Sequence, residues 1–539
     1  MAAHTQAEIE RKYDVDAAAS VPDLTAADGI AAARHLEPVT LTAVYFDTAN
    51  LDLAAHRMIL RRREGGPDEG WHIKKPAKEG RTELHWPLGS GTAGNSRGKA
   101  AAGRPAGKAA GTAIPDEVLE PVRAIVRDRV LSPLARISTV RTAVHLLNER
   151  GEAVAELADD VVSASDARGG TLRSWREWEV ELLPAAPDTK KARSRLLDAI
   201  ERVLLEAGAT PSSSVAKVAQ ALGVESLTDV VPGVGAVADA IAGTAASVVV
   251  AAVRGLTAAL EIADPAVRAD QPDAVHQMRR AVRRLRSVLA GNSRLFDGEA
   301  VRALRGGLAW LGGSLGEARD AEVSGKRAVR ELDAVPAHPS DAAVQARLVA
   351  DARREYTEAH QRVRRLMSSP GYYRLLDALD DFAARPPVTT RASHPAVKEL
   401  RRQLRRDIAR LRARARRAAA AGPVDREAAL HDVRKAVRRL RNAVDAIRPE
   451  AAAVLGAKKR RALRRISAAA KPIETSLGER HDLVLFAGQL EFASASANEA
   501  GEETFVYGML TARSSRELGA PSADLDASVR RIVRLARTF

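Results

Sequence analysis

One stretch of this chain occurs twice in near copy. VHQMRRAVRRLRSVL, residues 275 to 289, aligns without a gap on LHDVRKAVRRLRNAV, residues 430 to 444. His276, Arg279, Arg280, Arg283, Arg284 and Arg286 thereby pair with His431, Arg434, Lys435, Arg438, Arg439 and Arg441. A second pair follows in the same order, LGEARDAEV (315 to 323) and LGERHDLVL (477 to 485). A duplication of this kind restricts the fold severely. The half that carries it must build two equivalent units about a pseudo-two-fold axis, so the repeated side chains act in pairs.

Val275, Met278, Val282, Leu285 and Leu289 recur at the helical period of about 100° per residue and predict one buried stripe. His276, Arg279, Arg280 and Arg283 fall on the adjoining face at i, i+3, i+4 and i+7. A single basic helix face is usually no more than a solvated face. The same face repeated with the same histidine predicts one larger cationic surface around the axis. The segment 398 to 417 adds ten basic and two acidic residues opposite the apolar stripe Val397, Leu400, Leu404, Ile408, Leu411 and Ala415.

The charge of the chain is segregated. The net +15 divides into 30 Lys+Arg against 34 Asp+Glu before residue 241 and 54 against 35 after it. A field of one sign confined to one half argues for an anionic partner there, since solubility alone does not require it. Both nucleic acid and a bare phosphate polymer would bind by counterion release. Sequence-tolerant single-strand binding uses aromatic platforms, yet aromatics are 3% of the chain and the three basic segments contain none. That favours a polymer with phosphate and no base over nucleic acid.

Before about residue 185 the period changes from 3.6 to 2. Short runs read as strands: 42–46, 58–63, 70–75, 82–88, 139–148, 153–162 and 175–183. In five places one strand face is charged. Glu8, Glu10 and Lys12 alternate in AEIERKYDV, Arg61 and Arg63 in LRRRE, His72 and Lys74 in WHIKKP, Arg81 and Glu83 in GRTELHW, and Glu177, Glu179 and Glu181 in WREWEVEL. Alternation normally hides apolar residues. A closed antiparallel barrel with a polar interior explains the inversion, because its lumen can hold a charged ligand. Arg and Lys would grip the oxygens of a polyanion, and paired Glu would hold Mg²⁺ or Mn²⁺ through hard oxygen donors. Glu156 and Asp160 share a face of their strand, and Asp159 points away if that strand is regular.

The segment 89–114 is rich in Gly, Ala and Ser and reads as a disordered insertion. Residues 209–240 read as a linker with one short helix. Length predicts two to four domains, and the absence of Cys excludes a disulfide framework or a thiolate metal site. The first fifteen residues lack the basic start and apolar run of a signal peptide. The uncharged stretch 240–253 is too short to span a bilayer. The expectation is a cytoplasmic protein without a membrane partner.

The order ExExK at Glu8 to Lys12, then YFDT, LRRRE, WHIKKP, RTELHWPL, a lone strand Arg141, AELADDVV and EVEL, resembles the CYTH family of triphosphate tunnel metalloenzymes. This resemblance implies a domain over residues 1–208. Glu8, Glu10, Glu179 and Glu181 would be its metal-binding and acidic side, and with Lys12 its catalytic set. Lys12, Arg61, Arg63, Lys74, Arg81 and Arg141 would be its phosphate grip. The substrate would be a triphosphate-containing small molecule such as tripolyphosphate, ATP or thiamine triphosphate. The histidine-containing repeat resembles the CHAD domain over residues 241–539. It implies two pseudo-symmetric four-helix bundles that bind inorganic polyphosphate, which would associate the protein with polyphosphate granules. The residues implied are His276, Arg279, Arg280, Arg283, Arg286 and Arg319 from the first copy, with His431, Arg434, Lys435, Arg438, Arg441 and His481 from the second. The expected fold is thus an α+β multidomain chain, an N-terminal antiparallel β-barrel followed by an all-α domain. Besides polyphosphate binding, a soluble triphosphatase with the helical half as a targeting module and a basic protein associated with nucleic acid remain open.

Overall fold

The computed structural model describes residues 4–77, 79–88, 113–214, 216–227, 243–450, 454–519 and 524–539. Most of the segment 89–114 and the later part of the stretch 209–240 lie outside these. The chain divides into two compact units at about residue 233.

The first unit is a curled antiparallel sheet. Its strands are β1 (His4–Glu8), β2 (Glu10–Val15), β3 (Ala32–His35), β4 (Val39–Thr48), β5 (Ile59–Glu64), β6 (Gly70–Pro76), β7 (Arg81–Pro87), β8 (Leu131–Leu147), β9 (Ala153–Asp166), β10 (Leu172–Leu182) and β11 (Thr210–Pro211). Their order is β1-β7-β6-β5-β4-β8-β9-β10-β2-β11, with β3 on β8. The N-terminal strand is broken at Ile9. Glu8 pairs with Arg81 on one edge and Glu10 with Glu181 on the other, so the two ends of the sheet meet there. Period-2 alternation sends alternate side chains to opposite faces, and both faces are used. The apolar outward face of β2 and β8–β10, including Tyr13, Leu157 and Trp178, packs under helix α1 (Lys190–Glu206). That of β4–β7, including Phe46, Trp71 and Trp86, packs under residues 116–126. The charged face is left to line the lumen. A short helix, α2 (Lys217–Leu222), lies against Tyr45, Ile59 and Ile137 through Ala216, Val218 and Ala219.

The second unit is helical throughout. Its elements are α3 (Ala245–Arg268), α4 (Ala274–Gly291), α5 (Gly298–Leu332), α6 (Asp351–Met367), α7 (Pro370–Ala384), α8 (Ala396–Ala420), α9 (Pro423–Glu450), α10 (Ala457–Glu499), α11 (Phe505–Gly519) and α12 (Leu525–Ala536). Helices α3, α4, α5 and α7 pack as one bundle and α8, α9, α10 and α12 as its repeat, with α4 against α9. The expected stripe of α4 is buried from Val275 to Leu289, and so is its copy, Leu430, Val433, Val437, Leu440 and Val444. The long helices α5 and α10 extend beyond the bundles. Their second halves join α11 and residues 344–348 in a further core containing Leu332, Leu348, Phe486, Leu490 and Tyr507. Helix α3 is long and apolar enough to cross a membrane, but most of it is buried within the bundle.

Candidate functional site

The lumen of the sheet brings Glu8, Glu10, Lys12, Arg61, Arg63, Lys74, Arg81, Arg141, Glu179 and Glu181 to the wall of one cavity of about 100 Å³. Alternate positions on seven strands converge there because the sheet curls with that face inward. The side chains pair across the space. Lys74 donates to Glu8 and Lys12 to Glu179, and Lys12 Nζ lies 3.5 Å from Glu10. Arg141 donates to both oxygens of Asp160 at 2.8 and 2.7 Å and to Glu179 at 2.8 Å. Asp160 therefore faces the lumen, and Asp159 faces outward to Arg176 at 2.7 Å.

Two residues not singled out as site residues complete this wall. Lys217 sits at the first turn of α2 in the stretch expected to be linker, and its Nζ lies 2.8, 2.5 and 2.6 Å from Asp160, Glu177 and Glu179. Glu83 accepts from His72 Nδ1 at 2.8 Å and from Arg61 at 3.4 Å. A charge on the first residue of an otherwise uncharged short helix, KVAQAL, was the only sequence signal for Lys217.

The electrostatics split the lumen in two. Burial opposes the charge of Glu179, but Lys12, Lys217 and Arg141 hold it well below the ordinary carboxylate value. Glu181 goes the other way. Burial, then the Glu8 carboxylate, push it up to about 7, with Lys74 opposing and Glu10 and Glu179 adding. On the cationic side, burial and then Arg61 push Arg63 down to about 9, although Glu83 opposes.

Whether these carboxylates suit a hard divalent cation can be tested on the geometry. Among the described residues, the three acids whose oxygens come within 4.8 Å of one another are Asp160, Glu177 and Glu179, and there the Lys217 ammonium already supplies the positive charge. The expected set of Glu8, Glu10, Glu179 and Glu181 is not gathered as tightly. It does hold a buried carboxylate oxygen, Glu8 Oε2, without a hydrogen-bond partner, beside a Glu181 raised by its acidic neighbours. Oxygen donors short of positive charge are what Mg²⁺ or Mn²⁺ binds, so the residues fit.

A separate cavity of about 320 Å³ lies in the helical unit, where α4 meets α9. His276, Arg279, Arg283 and Arg319 line it with His431, Arg434, Arg438 and His481. The repeat thus places its two copies face to face. Arg279 donates to Asp320 at 2.9 Å, and Arg434 lies 3.9 Å from Asp482, so the aspartates of the LGE segments brace the first arginine of each copy. Gly316 and Gly478 of the same segments lie beside those arginines, where a Cβ would be in van der Waals contact at 3.4 and 3.7 Å. The imidazoles of His431 and His481 lie against each other with centroids 4.3 Å apart and planes tilted by 36°. Burial lowers Arg283 to about 10 with Arg438 and Arg279 adding, and lowers His431 to about 4 with His481 adding. The groups crowd one another with too little negative charge between them.

Four expected residues are not on this wall. Arg280 and Arg286 are exposed, and Lys435 is exposed 3.8 Å from Asp432. Arg441 is held by Glu474 at 2.7 Å and Asp445 at 3.4 Å. Arg280 and Lys435 follow Arg279 and Arg434 directly, and one residue of helix turns a side chain by about 100°. That is enough to miss a narrow cavity. Likewise α8, whose arginines were expected to extend the surface, contributes none to its wall.

A barrel with acids and bases facing each other across its lumen, followed by a duplicated basic bundle, defines a two-domain class. The CYTH family model matches residues 6–210 and the CHAD family model residues 251–491. A Mycobacterium tuberculosis protein described as uncharacterised is 36% identical over 546 residues, covering 98% of this chain and 97% of its own length. The chain belongs to this family of CYTH–CHAD proteins. Among solved structures, the CHAD domain from the plant Ricinus communis is similar at 22% identity, covering 54% of this chain and 92% of its own, with a TM-score of 0.43. A Hippeastrum protein with a dominant triphosphatase activity is similar at 18% identity, covering 40% and 95%, with a TM-score of 0.23.

Proposed function

We propose that the helical domain binds inorganic polyphosphate in the cavity between α4 and α9, and that the CYTH lumen takes a triphosphate group or the end of a phosphate chain. The observation that carries the reading is the cavity wall itself: nine basic side chains, Arg327 among them, face two carboxylates, and burial with the neighbouring cations lowers the proton affinity of His276, Arg283, His431, Arg438 and His481. Phosphate oxygens would supply the missing charge, and Arg forks suit them. In the lumen, Arg61, Arg63, Arg81, Lys74, Lys12 and Arg141 would hold phosphate oxygens, and Glu8, Glu10 and Glu181 with Glu179 would hold Mg²⁺ or Mn²⁺. Such an ion, when bound, would neutralise phosphate charge and lower the pKa of a water. The lumen supports hydrolysis of tripolyphosphate or a nucleoside triphosphate as the second activity, and the polyphosphate reading of the helical domain makes cytoplasmic polyphosphate granules the expected location.

Two measurements test the reading. Long-chain polyphosphate should bind the full chain with an affinity that falls steeply between two salt concentrations, and salt-insensitive binding would defeat it. Release of phosphate from tripolyphosphate, ATP or thiamine triphosphate should require Mg²⁺ or Mn²⁺ and disappear in Glu10→Gln, while polyphosphate binding survives. No turnover by the wild type would leave the lumen a binding site. Turnover unchanged in Glu10→Gln would remove the acidic side from the mechanism.

A further inference from the structure

The cavity between α4 and α9 is not closed at every side. Arg279, Arg283 and Arg286 stand at i, i+4 and i+7 on one face of α4, and Ala290 continues that face. Arg279 reaches past Gly316 of α5 and Arg286 past Gly312, where a Cβ would lie 3.4 and 3.8 Å from their guanidinium nitrogens. The face therefore leads from the cavity through the exposed Arg286 to the end of α4, about 16 Å from Arg279 at 1.5 Å per residue. There Arg439 donates to the Ala290 carbonyl at 3.5 Å and Arg406 to that of Gly291 at 3.3 Å.

More positive charge collects at this end. Burial lowers the proton affinity of Arg406, and Arg294 lowers it further. Burial also lowers that of Arg439, with Asp407 opposing and Arg410, Arg305 and Arg406 adding. The carboxylate beneath the cluster, Asp407, is buried and shared between Arg410 at 2.8 Å and Arg439 at 3.4 Å. Among the described residues, no carboxylate pairs with Arg286, Arg294 or Arg305. Arg406 and Arg410 of α8, which miss the cavity, stand here.

The duplicated side is built differently. Arg441 takes the place of Arg286, Glu474 that of Gly312, Asp445 that of Ala290, and Ser467 that of Arg305. Glu474 and Asp445 hold Arg441 at 2.7 and 3.4 Å, and Ser467 donates to Asp445 at 2.6 Å. The equivalent path is occupied by carboxylates already satisfied by their own arginine.

We infer that the cavity opens on one side only into a basic groove along α4, and that a linear polyphosphate held in the cavity runs out over Arg286 to the cluster of Arg294, Arg305, Arg406 and Arg439. This rests on the polyphosphate reading of the cavity and adds a direction to it: a pseudo-symmetric site binds an asymmetric length of chain. The groove residues include no aromatic side chain to stack a base, so a phosphate polymer suits it better than a nucleic acid.

The test uses the full chain with Arg286, Arg294 and Arg305 all changed to Glu. A control carries Arg353→Glu, Arg365→Glu and Arg374→Glu, exposed positions in the same unit with the same change of charge. Binding is followed at the imidazole resonances of His276, His431 and His481, which report the cavity and not the CYTH lumen. Tripolyphosphate, which the cavity alone can hold, should bind the groove variant within about twofold of wild type. Long-chain polyphosphate should bind it about tenfold more weakly or worse, with a salt slope smaller by about 2, and the control should lose far less. Equal losses in the two variants, or unchanged long-chain binding in the groove variant, would overturn the groove. Loss of tripolyphosphate binding equal to that of the long chain would place Arg286 in the cavity and overturn it as well. If wild-type imidazoles respond to no polyphosphate, the cavity reading itself fails, and a DNA duplex displacing the long chain from the groove would reassign the partner.

Discussion

Lys217 supplies the sharpest test of the lumen. Its ammonium lies within 2.8 Å of three buried carboxylates, Asp160, Glu177 and Glu179. Lys217→Met keeps most of the side-chain volume and removes the charge. Breaking a buried ion pair by deleting one partner costs about 3–5 kcal/mol, because the other is left uncompensated. Here three acids share the lysine, and Lys12 and Arg141 still face Glu179 and Asp160, so about 3 kcal/mol at pH 8 is expected. The pH dependence should reverse. In the wild type Asp160 and Glu179 are held below their ordinary values, so their stabilisation is present above about pH 4 and lost as pH falls. In the variant, carboxylates without their cation bind protons more readily in the folded state, so stability should rise as pH falls from 8 to 5. Mg²⁺ should restore part of the loss by replacing the ammonium. Four of the five Trp residues, Trp71, Trp86, Trp175 and Trp178, belong to this domain, so denaturant unfolding followed by Trp fluorescence reports it within the full chain. A loss under about 1 kcal/mol with unchanged pH dependence would show that Lys217 is not what balances these acids.

The His431–His481 pair predicts that polyphosphate binding takes up protons. A phosphate among the same arginines raises imidazoles that now lie below their ordinary value, so affinity should climb as pH falls from 7 toward 5, by up to about tenfold per pH unit for each proton taken up. Calorimetry in buffers of different ionisation enthalpy measures the uptake, and His431→Asn with His481→Asn should flatten it. Glu181, pushed up to about 7, predicts the opposite slope in the CYTH lumen: a divalent ion must displace its proton, so apparent Mn²⁺ affinity should rise between pH 6 and 8 and lose that dependence in Glu181→Gln. Gly80 has φ +63°, and a Cβ there would sit 2.0 Å from the Glu8 carbonyl. Gly80→Ala should therefore cost about 1–3 kcal/mol and abolish any divalent-dependent turnover by displacing β1, as unfolding and phosphate-release assays would show.

What the sequence revealed and what it concealed follow from the range of the signal. Alternation is local, so the inward charged faces of β2, β5, β6, β7 and β10 could be read directly, and so could the outward turn of Asp159. The helical stripe of α4 was legible for the same reason. Lys217 was not, because its role depends on where a short helix packs against strands far away in the chain. Arg280 and Lys435 looked equivalent to Arg279 and Arg434 because helical spacing defines a broad face, whereas α5 and α10 leave only part of that face open. The division between an open and a closed side of the repeat was visible only once Glu474 and Gly312 could be compared in place.

The break at Ile9 bears on how the lumen comes to exist at all. β1 is bonded to β7, but β2 is bonded to β10, so the second strand waits for a partner some 170 residues later. Long sequence separation makes such closure slow, because the entropy of the intervening loop is lost before the contacts form. During synthesis, Glu10 of β2 stays without its strand partner until Glu181 emerges. A shortened product ending before β10 lacks Glu179, Glu181 and the strand that joins β2 to the rest of the sheet, so the acids that would bind a metal come together only when the wall closes.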